Sequence, residues 1–170
     1  MSKLAPYLTR KSQALSDRRA DWTAEPAKST ISISATSTLA GNTGARPTRM
    51  GAHMIVSDSA PGLAGHALGP TAPEMLLGSL ASCLLHTYVI QGCLLNIPLD
   101  ALDVEVTATL DMAPVVGLPG DPPLLENMVY RARVESTAGD DAIARLHEAV
   151  DATCPVLNTV RSPITITRRD

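Results

Sequence analysis

The stretch from Gly69 to Cys93, GPTAPEMLLGSLASCLLHTYVIQGC, decides the fold. Thr71 can cap a first helical turn while Glu74, three residues later, reaches back to the cap amide, the reciprocal bonding of a capping box. A helix therefore starts here. From Met75 onward the residues are apolar on nearly all sides, with Ser79, Ser82, His86 and Gln91 the main polar interruptions, which predicts a central, largely buried helix. Cys83 falls in its middle.

A second helical stretch, AGDDAIARLHEAVDATCPVLNTVRSP, runs from Ala138 to Pro163. Ala142, Ile143, Leu146 and Val150 repeat at helical spacing, and Asp140 and Asp141 suit the positive end of the macrodipole. Pro155 disfavours the α conformation at Cys154 and suits the first position of a fresh short helix over Pro155 to Arg161. Cys154 is thus expected near a helix N-terminus, where free amides and the dipole stabilise a thiolate.

Outward from these two stretches, Lys3 to Trp22 reads as a helical arm with Leu4, Leu8 and Leu15 as sparse apolar points. Ile31, Ile33, Ala35 and Leu39 alternate with Ser32, Ser34, Thr36 and Thr38, predicting a first strand with one buried face. Gly41 to Gly44 makes a turn, a second strand is expected around Ala52 to Ser57, and Asp58 to Pro70 is a Pro/Gly-containing loop. Beyond Cys93, DVEVTATLD and NMVYRARVE alternate as antiparallel neighbours, joined by a Pro- and Gly-rich apolar loop over Met112 to Glu126. An edge strand is expected at Ile164 to Arg168. The fold class is α+β, a mainly antiparallel sheet wrapped on a central buried helix. The chain divides into an N-terminal helical arm, residues 1–28, and one domain, residues 29–170.

Composition narrows the function. A chain of 170 residues with 45% hydrophobic content fits one sizeable core, and a net charge of −3 gives no reason to expect nucleic acid or anionic membrane as a partner. No stretch is expected to reach the roughly 20 apolar residues of a transmembrane helix, and Met1 to Ala20 lacks the apolar centre of a secretion signal, so a cytoplasmic location is the expectation. Three cysteines suit a reduced chain with a transient disulfide better than a secreted framework. The absence of Phe leaves the core to Leu, Val, Ile, Ala and Met; nothing in the physics accounts for that bias.

The order and setting of GPTAPEMLLGSLASC and CPVLNTV resemble the OsmC/Ohr family, the osmotically induced and organic hydroperoxide resistance proteins, over about Ile31 to Thr167. The first motif is similar to the family's Pro/Glu-led helix ending in its peroxidatic cysteine, the second to its second-cysteine segment. The resemblance implies an OsmC-like fold assembled as an intertwined homodimer. It also implies a cysteine-based peroxidase that reduces organic hydroperoxides without metal, haem or other cofactor, with a lipoyl-type dithiol as reductant. Cys83 then attacks the peroxide and Cys154 resolves. A thiolate in an apolar pocket needs a cation to offset desolvation. Arg46 and Arg49, in GNTGARPTRMG, are the candidates, and the resemblance prefers Arg46, held by Glu74. Glu74 lies one helix position nearer its cysteine than the glutamate of the hydroperoxide resistance branch, so the chain departs from that branch toward other OsmC-like members. Nine residues of ideal helix place Glu74 ~13.5 Å along the axis from Cys83, and roughly opposite it in angle.

Other readings compete. Alone, a cysteine in an apolar helix is a small hydrophobe, and Glu74 is a cap. His86, one turn after Cys83, can tune it or be a hydrogen-bonded core residue. Cys83, His86, Cys93 and Cys154 lack the paired spacing of a zinc site, and Cys93 reads as a packing thiol. The alternatives to a peroxidase are a non-catalytic binder of a small hydrophobic ligand and a thiol redox sensor.

Overall fold

A computed structural model describes residues 3–169; the outermost positions of the two expected divisions, residues 1, 2 and 170, lie outside the described residues. The chain forms two compact units, one of Met1–Arg19 with Leu77–Asp170 and the other of Ala20–Leu76. The fold is α+β with antiparallel sheets.

The larger unit is built around the helix Ala72–Leu94 (α2), of which it holds the part from Leu77 onward. The N-terminal arm forms the helix Ala5–Ala24 (α1), and its Leu8, with the preceding Leu4, packs on the core. Two long strands, Ala101–Leu110 (β4) and Leu125–Glu135 (β5), pair antiparallel. Their alternation turns Val104, Val106, Met128 and Tyr130 to the core and leaves Asp103, Glu105, Arg131 and Arg133 on the exposed face. A bulge opposite Thr107 to Thr109 is absorbed by Asn127, which sits at φ 51° and donates from Nδ2 to Thr109 Oγ1 at 3.0 Å. The helices Asp140–Thr153 (α3) and Pro155–Arg161 (α4) complete the unit, and Leu80, Leu84, Tyr88, Leu99, Leu146 and Val150 form its fully buried centre. Gly92 packs tightly there: a Cβ at this position would come within 2.8 Å of Leu99 Cδ1, so that side chain would have to shift.

The smaller unit carries a three-stranded antiparallel sheet of Ala35–Ser37 (β1), Arg46–Met50 (β2) and His53–Ser57 (β3). Two expectations are corrected here. The first strand is only three residues long and has no buried face, because its partner ends at Met50, opposite Ala35; Ile31 and Ile33 overrun that partner and are 74% and 88% exposed. No strand was expected over Arg46 to Met50, which follows the turn at Gly41 to Gly44, yet it is the central strand β2. Its Pro47 and its lack of alternation concealed that from the sequence.

Three further expectations change in the larger unit and in α2. No strand forms over Ile164 to Arg168 among the described residues; the alternation is there, but Ile164 and Ile166 stand 58% and 86% exposed without a ladder. The helix α2 is not covered on every side, since Leu76 and Leu85 are 42% and 40% exposed. At 23 residues it is also long and apolar enough to cross a membrane, contrary to the expectation that no stretch would be. A core helix meets the same criterion, and α2 buries Leu80, Leu84, Thr87, Tyr88, Val89 and Gly92.

Candidate functional site

Cys154 is the corner between two helices. It ends α3 with its amide on the Val150 carbonyl at 2.9 Å, and it caps α4 with its own carbonyl accepting from the Asn158 amide at 3.0 Å. Pro155 at the first position of α4 lacks a donor that would have had no helical partner, and it holds Cys154 in an extended conformation, φ −70° and ψ 113°. This turns the wholly buried Cys154 sulfur toward α2, where it lies 3.6 Å from Cys83 Sγ. Both cysteines are free. A disulfide bond is ~2.05 Å long, so the pair stands about 1.5 Å short of bonding.

Burial pushes the Cys83 thiol above its ordinary value, and the adjacent Cys154 acts in the same direction. Two groups oppose them: the backbone N–H of Val156, at the second position of α4, and the Thr87 hydroxyl, which also donates to the Cys83 carbonyl at 2.8 Å. Neither was singled out in the sequence. Thr87 was visible as a residue one turn beyond Cys83, and Val156 as the first donor after the Cys-Pro pair.

The other expected site residues lie in the smaller unit. Arg46 opens β2 and donates from Nη1 to the Gly44 carbonyl at 2.8 Å and to Ser59 Oγ at 3.4 Å. Arg49, further along the same strand, is exposed. Glu74 forms the capping box: Thr71 donates to Glu74 Oε2 from its amide at 2.7 Å and from its hydroxyl at 2.8 Å, while the Glu74 amide donates to Thr71 Oγ1 at 3.4 Å. The Thr71 amide, then its hydroxyl, hold the Glu74 carboxyl below the usual range.

The sequence reading passed over Asp58 entirely. Its carboxylate is buried and accepts the amides of Ser59 at 2.7 Å, His66 at 2.9 Å and Leu68 at 3.3 Å, which ties the loop from Asp58 to Pro70 onto one side chain. The His66 amide foremost, with those of Ser59 and Leu68, depresses its pKa. An aspartate opening a Pro/Gly loop was the available signal.

His86 and Cys93 face the arm. Lys11 Nζ lies 2.8 Å from His86 Nε2, and Cys93 donates its thiol proton to the Leu8 carbonyl at 3.7 Å. Burial, then Lys11, lowers the His86 pKa. Among the described residues no three His, Cys, Asp or Glu side chains converge as a metal site.

Beside the thiols lies a cluster of polar side chains inside the larger unit. Tyr88 of α2 is fully buried, and its hydroxyl lies 2.5 Å from His147 Nδ1 of α3. Tyr130 of β5 neighbours it, and the Tyr130 hydroxyl donates to Asp151 Oδ1. Asp151 Oδ2 is 3.7 Å from Arg161 Nη2 of α4. Burial first, and then the Asp151 hydrogen bond, push the Tyr130 phenol far above its ordinary value, so it stays protonated.

Comparison with known proteins agrees with this architecture. Residues 65–169 match the family model described as OsmC-like protein. No curated protein sequence matches the chain. Among solved structures, an OsmC-like protein from Mycoplasma pneumoniae superposes with a TM-score of 0.65 at 22% identity, over 77% of this chain and 88% of that one. An organic hydroperoxide resistance protein OsmC from Legionella pneumophila gives 0.58 at 15% identity, over 77% and 90%. One from Elizabethkingia anophelis gives 0.57 at 18%, over 78% and 89%. At these identities the structures speak for the fold, and the family model covers more than half of the sequence. The chain belongs to the OsmC-like protein family.

Proposed function

We propose that this chain is a two-cysteine peroxidase that reduces organic hydroperoxides. The observation that carries the reading is the 3.6 Å approach of two free thiols from different elements. Deprotonated Cys83 attacks the distal oxygen of the substrate; the O–O bond breaks, Cys83 becomes a sulfenic acid, and the alkoxide takes up a proton and leaves as the alcohol. The Cys154 sulfur then displaces that hydroxyl. An S–S bond forms, an S–O bond breaks, and water carries away the hydroxyl and the Cys154 proton. A lipoyl-type dithiol reduces the disulfide and is itself oxidised to a cyclic disulfide. The sum is hydroperoxide plus dithiol giving alcohol, water and disulfide, with no metal or other cofactor.

Burial disfavours the thiolate of Cys83, so the reaction needs a cation, and Arg46 takes that role with Glu74 holding it. Arg49 is the runner-up. An organic substrate is preferred over hydrogen peroxide because an alkyl group gains by burial against the apolar residues of α2 and of the Val115 to Leu125 loop. The enzyme works as a homodimer in the cytoplasm; the exposed Leu76, Leu85, Ile164 and Ile166 supply apolar surface for a second copy. The test is consumption of cumene hydroperoxide with dihydrolipoamide. Cys83→Ser abolishes turnover, because a serine hydroxyl is a poor nucleophile toward peroxide oxygen, and Cys93→Ser retains most of it. Equal loss in both variants would remove Cys83 from the centre of the chemistry.

A further inference from the structure

The polar side chains beside the thiols tie the sheet to α3. The link between Tyr130 and Asp151 uses the Tyr130 proton, the hydroxyl donating to Asp151 Oδ1. Tyr88 is tied separately, its hydroxyl 2.5 Å from His147 Nδ1. The sheet is anchored to α3 through Asp151. That residue lies three positions before Cys154, in the last turn of α3, and its second oxygen faces Arg161 of α4 across the corner.

We propose that Tyr130 is a positioning residue for the redox pair: by donating to Asp151 from the sheet it fixes the α3–α4 corner and so sets the distance from Cys154 to Cys83. The inference deepens the peroxidase reading and rests on it for the step concerned, displacement of hydroxyl from the Cys83 sulfenic acid by Cys154. Sulfur attack is steep in distance, and a misplacement of about 1 Å can cost on the order of 100-fold in rate. The sulfurs already have about 1.5 Å to close. A corner released from the sheet lowers the effective concentration of one thiol at the other, which weakens both the rate and the equilibrium of disulfide formation.

The experiment compares wild type, Tyr130→Phe and Tyr88→Phe in two measurements. In the first, the Cys83–Cys154 couple is titrated against reduced and oxidised glutathione without peroxide. Tyr130→Phe should lower the equilibrium constant for disulfide formation about ten-fold, a rise of about 30 mV in potential for a two-electron couple. Tyr88→Phe, which leaves the Tyr130 to Asp151 bond in place, should shift it less. In the second, stoichiometric cumene hydroperoxide is added with dimedone present. Tyr130→Phe should consume peroxide at the wild-type rate and yield more trapped sulfenic acid. If Tyr130→Phe does not fold, Asp151→Asn carries the titration and should move the couple in the same direction. A folded Tyr130→Phe with wild-type midpoint and trapping overturns the inference. A wild-type protein that forms the disulfide in glutathione but does not react with hydroperoxide overturns the peroxidase reading instead, and the titration still decides the role of Tyr130.

Discussion

Oxidising the reduced chain should raise its thermal stability by a calculable amount. The bond would join residues 71 apart in sequence. In the chain-entropy treatment, closing a loop of that length removes unfolded-state freedom worth about 4 kcal/mol at 25 °C. Drawing the sulfurs together from 3.6 Å strains the native state and cancels part of this. A net gain of roughly 2–3 kcal/mol remains, which corresponds to an increase in Tm of about 5–10 °C for a chain of this size. Differential scanning calorimetry before and after one equivalent of diamide reads it directly, with Cys154→Ser as a control in which no shift is expected. An oxidised protein that melts at or below the reduced one, with the Cys83–Cys154 crosslink verified by peptide mapping, would refute the reasoning. It would mean that the corner holds the two thiols against bonding.

In Arg46→Ala the Cys83 thiol should titrate above its ordinary value, as burial requires, so that alkylation by iodoacetamide climbs only in the alkaline range; wild type should reach its plateau at lower pH, and superimposable curves would take Arg46 out of the site. Leu84→Ala removes a fully buried side chain from the core beside Tyr88 and should cost about 3–5 kcal/mol, measured by urea unfolding. A cost under 1 kcal/mol would show that α2 is not packed as described. Light scattering at micromolar concentration should give twice the monomer mass of 17.8 kDa, and a fully active monomer would end the dimer proposal.

What the sequence disclosed was whatever a local pattern encodes. The Thr71/Glu74 cap, the helical repeat of Ala142, Ile143, Leu146 and Val150, and the alternation of β4 and β5 are all short-range signals, and the corresponding elements formed. Alternation also misled: Ile31 to Leu39 and Ile164 to Arg168 carry a strand's pattern, yet a strand exists only where a partner edge runs beside it, and that is a long-range fact. Arg46 to Met50 shows the converse, a strand without pattern, formed because β1 and β3 both pair with it. The meeting of Cys83 with Cys154 joined two segments neither of which was decisive alone. The cluster of Tyr88, Tyr130, His147 and Asp151 gave no such warning, because three elements contribute to it and each residue in isolation passes for an inward tyrosine or a helix-surface polar group.

The backbone of Cys154 is committed twice, once to the end of α3 and once to the start of α4. Its sulfur can turn about the side-chain bond, but its peptide groups cannot follow without breaking helical hydrogen bonds on one side or the other. The exterior of the molecule should therefore change little when the thiols join. A signalling protein needs an outer surface that reports its internal state to a partner. Here a partner reading the surface would find little to distinguish the two states, which suits a protein that resets itself after each encounter better than one that announces it.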